Sequence, residues 1–98
     1  MTEAILVSCA DDSPAGWTCD VTVGTDAAAT GHRVTVSQDL LASLRPGTTD
    51  PTDLVRDSFA FLLAREPRES ILSRFDLPVI ERYFPGWEAE VRERRDER

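Results

Sequence analysis

Residues 17–37 read WTCDVTVGTDAAATGHRVTVS, two alternating runs on either side of a turn-rich centre. Trp17, Cys19, Val21 and Val23 alternate with Thr18, Asp20 and Thr22, the period of a strand with one face buried. His32, Val34 and Val36 alternate in the same way with Arg33, Thr35 and Ser37. A turn centred in residues 24–31 predicts an antiparallel hairpin with Val23 opposite His32, Val21 opposite Val34 and Cys19 opposite Val36. Every apolar partner then lies on one face, which fixes the pairing against one-residue slips.

Upstream, AILVSC at residues 4–9 is a continuous apolar run ahead of the turn-forming ADDSPAG. It reads as a third strand whose unbroken apolar character suits the centre of the sheet. The N-terminal half is therefore expected to be a three-stranded antiparallel β-meander. After residue 37 the period changes. Ser37 can cap a short helix carrying Leu40, Leu41 and Leu44, ended by Arg-Pro-Gly. Asp50 before Pro51 starts the best-defined helix, residues 51–66, because proline suits a first turn and Asp53 faces the positive end of the helix dipole. Its stripe is Leu54, Val55, Phe59, Leu62 and Leu63, widened by Phe61. Pro67 breaks it, and a short helix with Ile71, Leu72 and Phe75 is expected beyond.

Residues 75–87, FDLPVIERYFPGW, hold four of the chain's seven aromatic residues and two of its prolines. With Asp76 as N-cap and Pro78 in the first turn, they read as a compact helix with Leu77, Ile80 and Phe84 on one face, stopped by Pro85 and Gly86. Trp87 and Val91 follow one turn apart. Residues 88–98 read as a charged, fraying helical tail with Glu88–Arg92 and Glu90–Arg94 pairs. Burying Phe75, Ile80, Phe84 and Trp87 would contribute about 1.5–3 kcal/mol each, which a domain this small needs. Leu77, Ile80, Tyr83, Phe84 and Trp87 nevertheless span more than one helical face. An apolar surplus rimmed by Arg74, Glu81, Arg82 and Glu88 is the composition of a partner-binding surface.

Ninety-eight residues, 41% hydrophobic and 30% charged, fit a single α+β domain spanning residues 1–98: the meander covered by C-terminal helices. The net charge of −7 opposes nucleic acid and anionic membrane surfaces, and neither half of the chain is basic. The N-terminal apolar run is too short to cross a membrane and has an acid where a leader needs positive charge, so a cytoplasmic protein is expected. In that compartment Cys9 and Cys19 read as reduced thiols rather than a disulfide.

No catalytic, cofactor-binding or metal-ligating constellation emerges. In the expected register Cys19 and the single histidine, His32, lie about 13 Å apart along the sheet, too far for a thiol–imidazole dyad. His32 is expected at a strand end, its polar edge in water. One histidine and two cysteines lack the spacing of a zinc site, and the five glycines are scattered through turns rather than gathered in a phosphate loop. Asp11 and Asp12 are adjacent acids in a turn, with no pocket to shift their ionisation.

Two resemblances follow from the order of elements. VTVSQDLLASL…TTDPTDLVRDSFAFLL, within residues 33–63, resembles the ribbon-helix-helix DNA-binding repressors and antitoxins. That resemblance implies a two-fold dimer with Arg33, Thr35 and Ser37 in the major groove. Against it stand a first helix about one turn short, a ribbon strand paired within its own chain, and Asp50 and Asp53 where a phosphate would dock. SFAFLLAREPRESILSRFDLPVIERYFPGWE, residues 58–88, resembles small uncharacterised bacterial proteins of the actinobacterial type, which implies no activity for any residue. The reading is a non-enzymatic protein-interaction or regulatory module without cofactor. It would bind itself or a protein partner through Leu77, Ile80, Tyr83, Phe84 and Trp87, with a DNA-binding regulator as the alternative.

Overall fold

The computed structural model describes residues 4–12 and 16–94. Three strands, β1 (Ile5–Asp12), β2 (Gly16–Val23) and β3 (Thr30–Ser37), are followed by helices α1 (Gln38–Leu44) and α2 (Thr52–Leu63). A 3-10 turn (Arg68–Ser70), strand β4 (Arg74–Asp76) and helices α3 (Val79–Tyr83) and α4 (Trp87–Arg94) complete the described chain. Mixed α and β content is as expected, but the sheet has four strands in the order β1-β2-β3-β4, not three.

The fourth strand corrects the helix expected around Ile71, Leu72 and Phe75. β4 runs parallel to β3, with Val34 opposite Phe75, and the ladder is carried by Arg33 N–H to the Ser73 carbonyl (2.8 Å) and Leu77 N–H to the Thr35 carbonyl (3.0 Å). A parallel neighbour requires a long crossover, and α1 and α2 supply it. Asp76 consequently ends a strand and bonds the Thr35 hydroxyl instead of capping a helix. α3 begins after Pro78 with no side-chain cap.

The hairpin keeps its faces but not its expected register. Val23 lies opposite Thr30, Val21 opposite His32, Cys19 opposite Val34 and Trp17 opposite Val36. Asp26 tightens the loop by accepting from the Ala28 N–H (3.0 Å), so Thr30 and Gly31 join the strand. The resulting slip is two residues. Because side chains alternate with period two, Cys19, Val21, Val23, Val34 and Val36 all remain buried.

β1 is an edge strand rather than the central one. Its inward residues Ile5, Val7 and Cys9 are only half-buried, and Leu6, on the other face, is 58% exposed. Cys9 lies directly opposite Cys19 and the two form a disulfide, which corrects the expectation of free thiols. The Gly24 N–H donates to the Ala4 carbonyl (2.8 Å), so Ala4, Leu6, Ser8 and Ala10 exchange main-chain bonds with β2. Cys9 and Cys19 therefore occupy a pair not bridged by main-chain bonds, where side chains approach most closely.

The core lies between one sheet face and the helices. Ser37 caps α1 by accepting from the Leu40 N–H (3.0 Å), and Leu41 and Leu44 are buried, as the sequence predicts. α2 is shorter than the expected 51–66 and buries Leu54, Val55, Phe59, Phe61 and Leu62. The Asp50 carboxylate accepts from the Thr52 hydroxyl (2.6 Å) and N–H (2.9 Å), which hold it below the usual carboxylate range. α4 buries Trp87 and Val91, and Arg92 donates to the Ser43 hydroxyl (3.1 Å). The remainder of the anticipated tail, residues 95–98, and the tip of the 10–16 turn lie outside the described residues, as does the side chain of Arg94 in the anticipated Glu90–Arg94 pair.

Three helices meet at Arg45. Its guanidinium donates to Asp57 of α2 (2.8 Å) and to the Val91 carbonyl of α4 (2.8 Å). The Arg45 side chain is nearly closed to water, while that of Asp57 is 26% exposed.

Candidate functional site

The anticipated partner-binding residues separate into two groups. Leu77, Ile80 and Trp87 are enclosed in the core, with exposures of 0%, 2% and 0%. Trp87 is held there by an indole N–H bond to the Ser58 hydroxyl (3.0 Å), which in turn donates to the Leu54 carbonyl (2.7 Å). Tyr83 is 65% exposed and Phe84 half-buried, its ring edge-on to Phe61 with centroids 6.3 Å apart.

Ile80, Tyr83 and Phe84 converge with residues from three other segments to line an apolar groove of about 270 Å³. Leu62 comes from the end of α2, Ile71 and Leu72 from the chain after the 3-10 turn, and Phe75 from β4. Leu72 is 47% exposed, so Leu72 and Tyr83 rim the groove with apolar surface in contact with water. Glu66 also lines it, and its carboxylate has no ion-pair partner among the described residues. The groove was only partly foreseeable. Its contributors Leu62, Glu66, Leu72 and Phe75 are brought beside α3 by the parallel β3–β4 pairing, which leaves no periodic signal in the sequence.

Packing fixes this wall. Glu81 turns from α3 to the start of α4, accepting from the Gly86 N–H (2.9 Å) and the Glu88 N–H (3.0 Å). Those donors, Gly86 foremost, hold its carboxyl below the usual range. A carboxylate is well suited here because the exposed N–H groups and dipole of a helix start favour negative charge. The α3–α4 corner is thus clamped beside the groove.

His32 departs from its expected place at a solvent-washed strand end. It is 6% exposed, with Nδ1 2.8 Å from the Leu72 carbonyl, Nε2 2.8 Å from the Thr30 hydroxyl and its ring 5.3 Å from that of Phe59. A carbonyl can only accept, so Nδ1 is the donor, and His32 fastens the strand to the segment carrying Leu72. Cys19 is committed to its disulfide, which removes the thiol of the weighed Cys19–His32 dyad. Among the described residues no group of three or more His, Cys, Asp or Glu stands close enough to hold a metal ion, and no helix is long and apolar enough to cross a membrane.

On the opposite sheet face, Arg33 bonds Asp20 (3.0 Å) and Thr35 bonds Asp76. β3 has β2 on one side and β4 on the other. The free edge that a ribbon-helix-helix strand offers to a second subunit is occupied here within the chain.

No protein-family model matches this sequence, and no characterised protein or solved structure matches it significantly.

Proposed function

We propose that this chain is a non-enzymatic protein-interaction or regulatory module that seats apolar side chains of a protein partner in the groove between the end of α2 and α3. The observation carrying this reading is that Leu72 and Tyr83 stand exposed on the rim of an apolar recess floored by Leu62, Phe75, Ile80 and Phe84. Isolated exposed apolar residues are ordinary on a protein surface; two on one apolar recess make a docking patch. At about 270 Å³ the recess falls just below the ~300–1,000 Å³ of small-molecule sites, a volume that suits one or two anchoring side chains. The carboxylate of Glu66, without an ion-pair partner among the described residues, favours an arginine or lysine beside the anchor, as does the net charge of −7. The partner is therefore an apolar segment carrying a basic residue, from a second copy of the chain or from another protein.

Selection of peptides from a display library tests this reading. Binders should combine a leucine or aromatic anchor with a nearby Arg or Lys. They should lose at least about tenfold in affinity against a folded Leu72→Glu/Tyr83→Glu variant, the cost expected when charge is placed on an anchor contact. Binders unaffected by that variant count against the groove. Both positions are exposed, so the substitutions spare the core.

A further inference from the structure

We infer that the outer edge of β1 pairs antiparallel with β1 of a second copy, joining two four-stranded sheets into one continuous sheet. The inference concerns the side of the sheet farthest from β4, and so from the groove that Phe75 lines. Since Ala4, Leu6, Ser8 and Ala10 direct their main-chain groups to β2, Ile5, Val7 and Cys9 direct theirs outward. Among the described residues no strand lies along that side.

An edge of this kind is normally protected by charge, proline, a bulge or shortness. β1 has none of these over its apolar stretch. Residues 4–10 contain no charged residue and no proline, and the register with β2 is one-to-one along all eight residues. Its inward side chains, Ile5, Val7 and Cys9, are half-exposed although they belong to the core face, and Leu6 is exposed on the other. A strand laid alongside would cover both sets.

The strand complements itself, which selects a second copy as the occupant. A two-fold axis at Val7 sets Val7 against Val7 and Ile5 against Cys9 of the other chain, an apolar pairing along the middle of the joint. The Cys9–Cys19 disulfide fastens this edge to β2.

Amide hydrogen exchange across a dilution series, followed by NMR alongside sedimentation, tests the inference on the unmodified chain. Sedimentation should give twice the 10.9 kDa chain mass at high concentration. The Val7 and Cys9 amides should then exchange at least about tenfold more slowly than in the dilute monomer, while Leu6 and Ser8, bonded to β2, stay protected throughout. A Val7→Pro variant removes only an outward donor and should be a folded monomer. A Leu72→Glu/Tyr83→Glu variant should still dimerise, which separates this edge from the groove. A wild-type chain that stays monomeric, a folded Val7→Pro dimer, or a dimer whose Val7 and Cys9 amides remain unprotected overturns the inference. Should Val7→Pro fail to fold, the exchange experiment decides alone. Protection of the edge only on adding a foreign strand-forming peptide would also overturn it, in favour of a heterologous partner.

Discussion

The indole N–H of Trp87 donates to the Ser58 hydroxyl across 3.0 Å, in a region where both residues are fully buried. This bond helps to keep a short, strongly charged C-terminal helix docked, beside the buried Val91 and the Arg45 contact to its carbonyl. Trp87 brings the apolar area, and Ser58, placed on the buried face of α2, supplies the one polar group the indole requires. Ser58→Ala should therefore destabilise the fold by about 1–3 kcal/mol by stranding a buried donor. Trp87→Ala should cost about 3–5 kcal/mol through lost burial and the cavity left behind. Urea denaturation followed by far-UV circular dichroism measures both. A neutral Ser58→Ala would mean that the indole finds another acceptor.

The Arg45 junction should be about as sensitive as Ser58. Arg45→Ala removes the donor shared by Asp57 and the Val91 carbonyl, and water can reach Asp57 but not the buried carbonyl contact. The expected loss is about 1–3 kcal/mol. Hydrogen exchange should show α4 opening first. Uniform loosening of the sheet instead would place the junction's importance elsewhere.

Glu81 gives the fold a pH dependence of definite sign. Its carboxyl lies below its ordinary range because the Gly86 and Glu88 N–H groups bond the charged form. A depressed carboxylate stabilises fully above its unfolded value and ceases to do so as pH falls through the folded value. Wild-type protein should thus melt higher than Glu81→Gln at pH 7, and the gap should close below about pH 4. A gap independent of pH would show that Glu81 acts through packing alone.

Reduction should loosen the β1–β2 pairing without dissolving the domain. The disulfide spans ten positions of sequence, and closing a loop of that order is worth about 2–3 kcal/mol. The wild type melted in dithiothreitol and the Cys9→Ser/Cys19→Ser variant should agree with each other and fall below the oxidised wild type. Identical melting of all three would show that the bridge adds nothing to stability.

Much of the architecture was legible where a single period governs a segment. The alternation through Cys19, Val21, Val23, Val34 and Val36 identified the core face of the hairpin, and the stripe through Leu54, Val55, Phe59 and Leu62 identified α2. Ser37 announced α1, because capping is local chemistry. The register did not follow, since a two-residue slip leaves every face unchanged and the Asp26 turn decides it. β4 was hidden because Ile71, Leu72 and Phe75 fall at helical spacing, and a three-residue parallel strand has no alternation of its own. The disulfide emerges only once Cys9 is known to face Cys19. Of the candidate site, Ile80, Tyr83 and Phe84 were visible as an apolar surplus, whereas Leu62, Glu66 and Leu72 reach the groove only through tertiary structure.

The proposed groove is tested most directly by mapping where a bound peptide touches the chain. Two-dimensional NMR spectra recorded while titrating a library-selected apolar–basic peptide should show shifts concentrated at Leu62, Glu66, Ile71, Leu72, Val79 and Tyr83, with the open sheet face around Thr22 and Arg33 unmoved. Shifts centred on that sheet face, with the Leu72 and Tyr83 signals unchanged at saturation, would contradict the account.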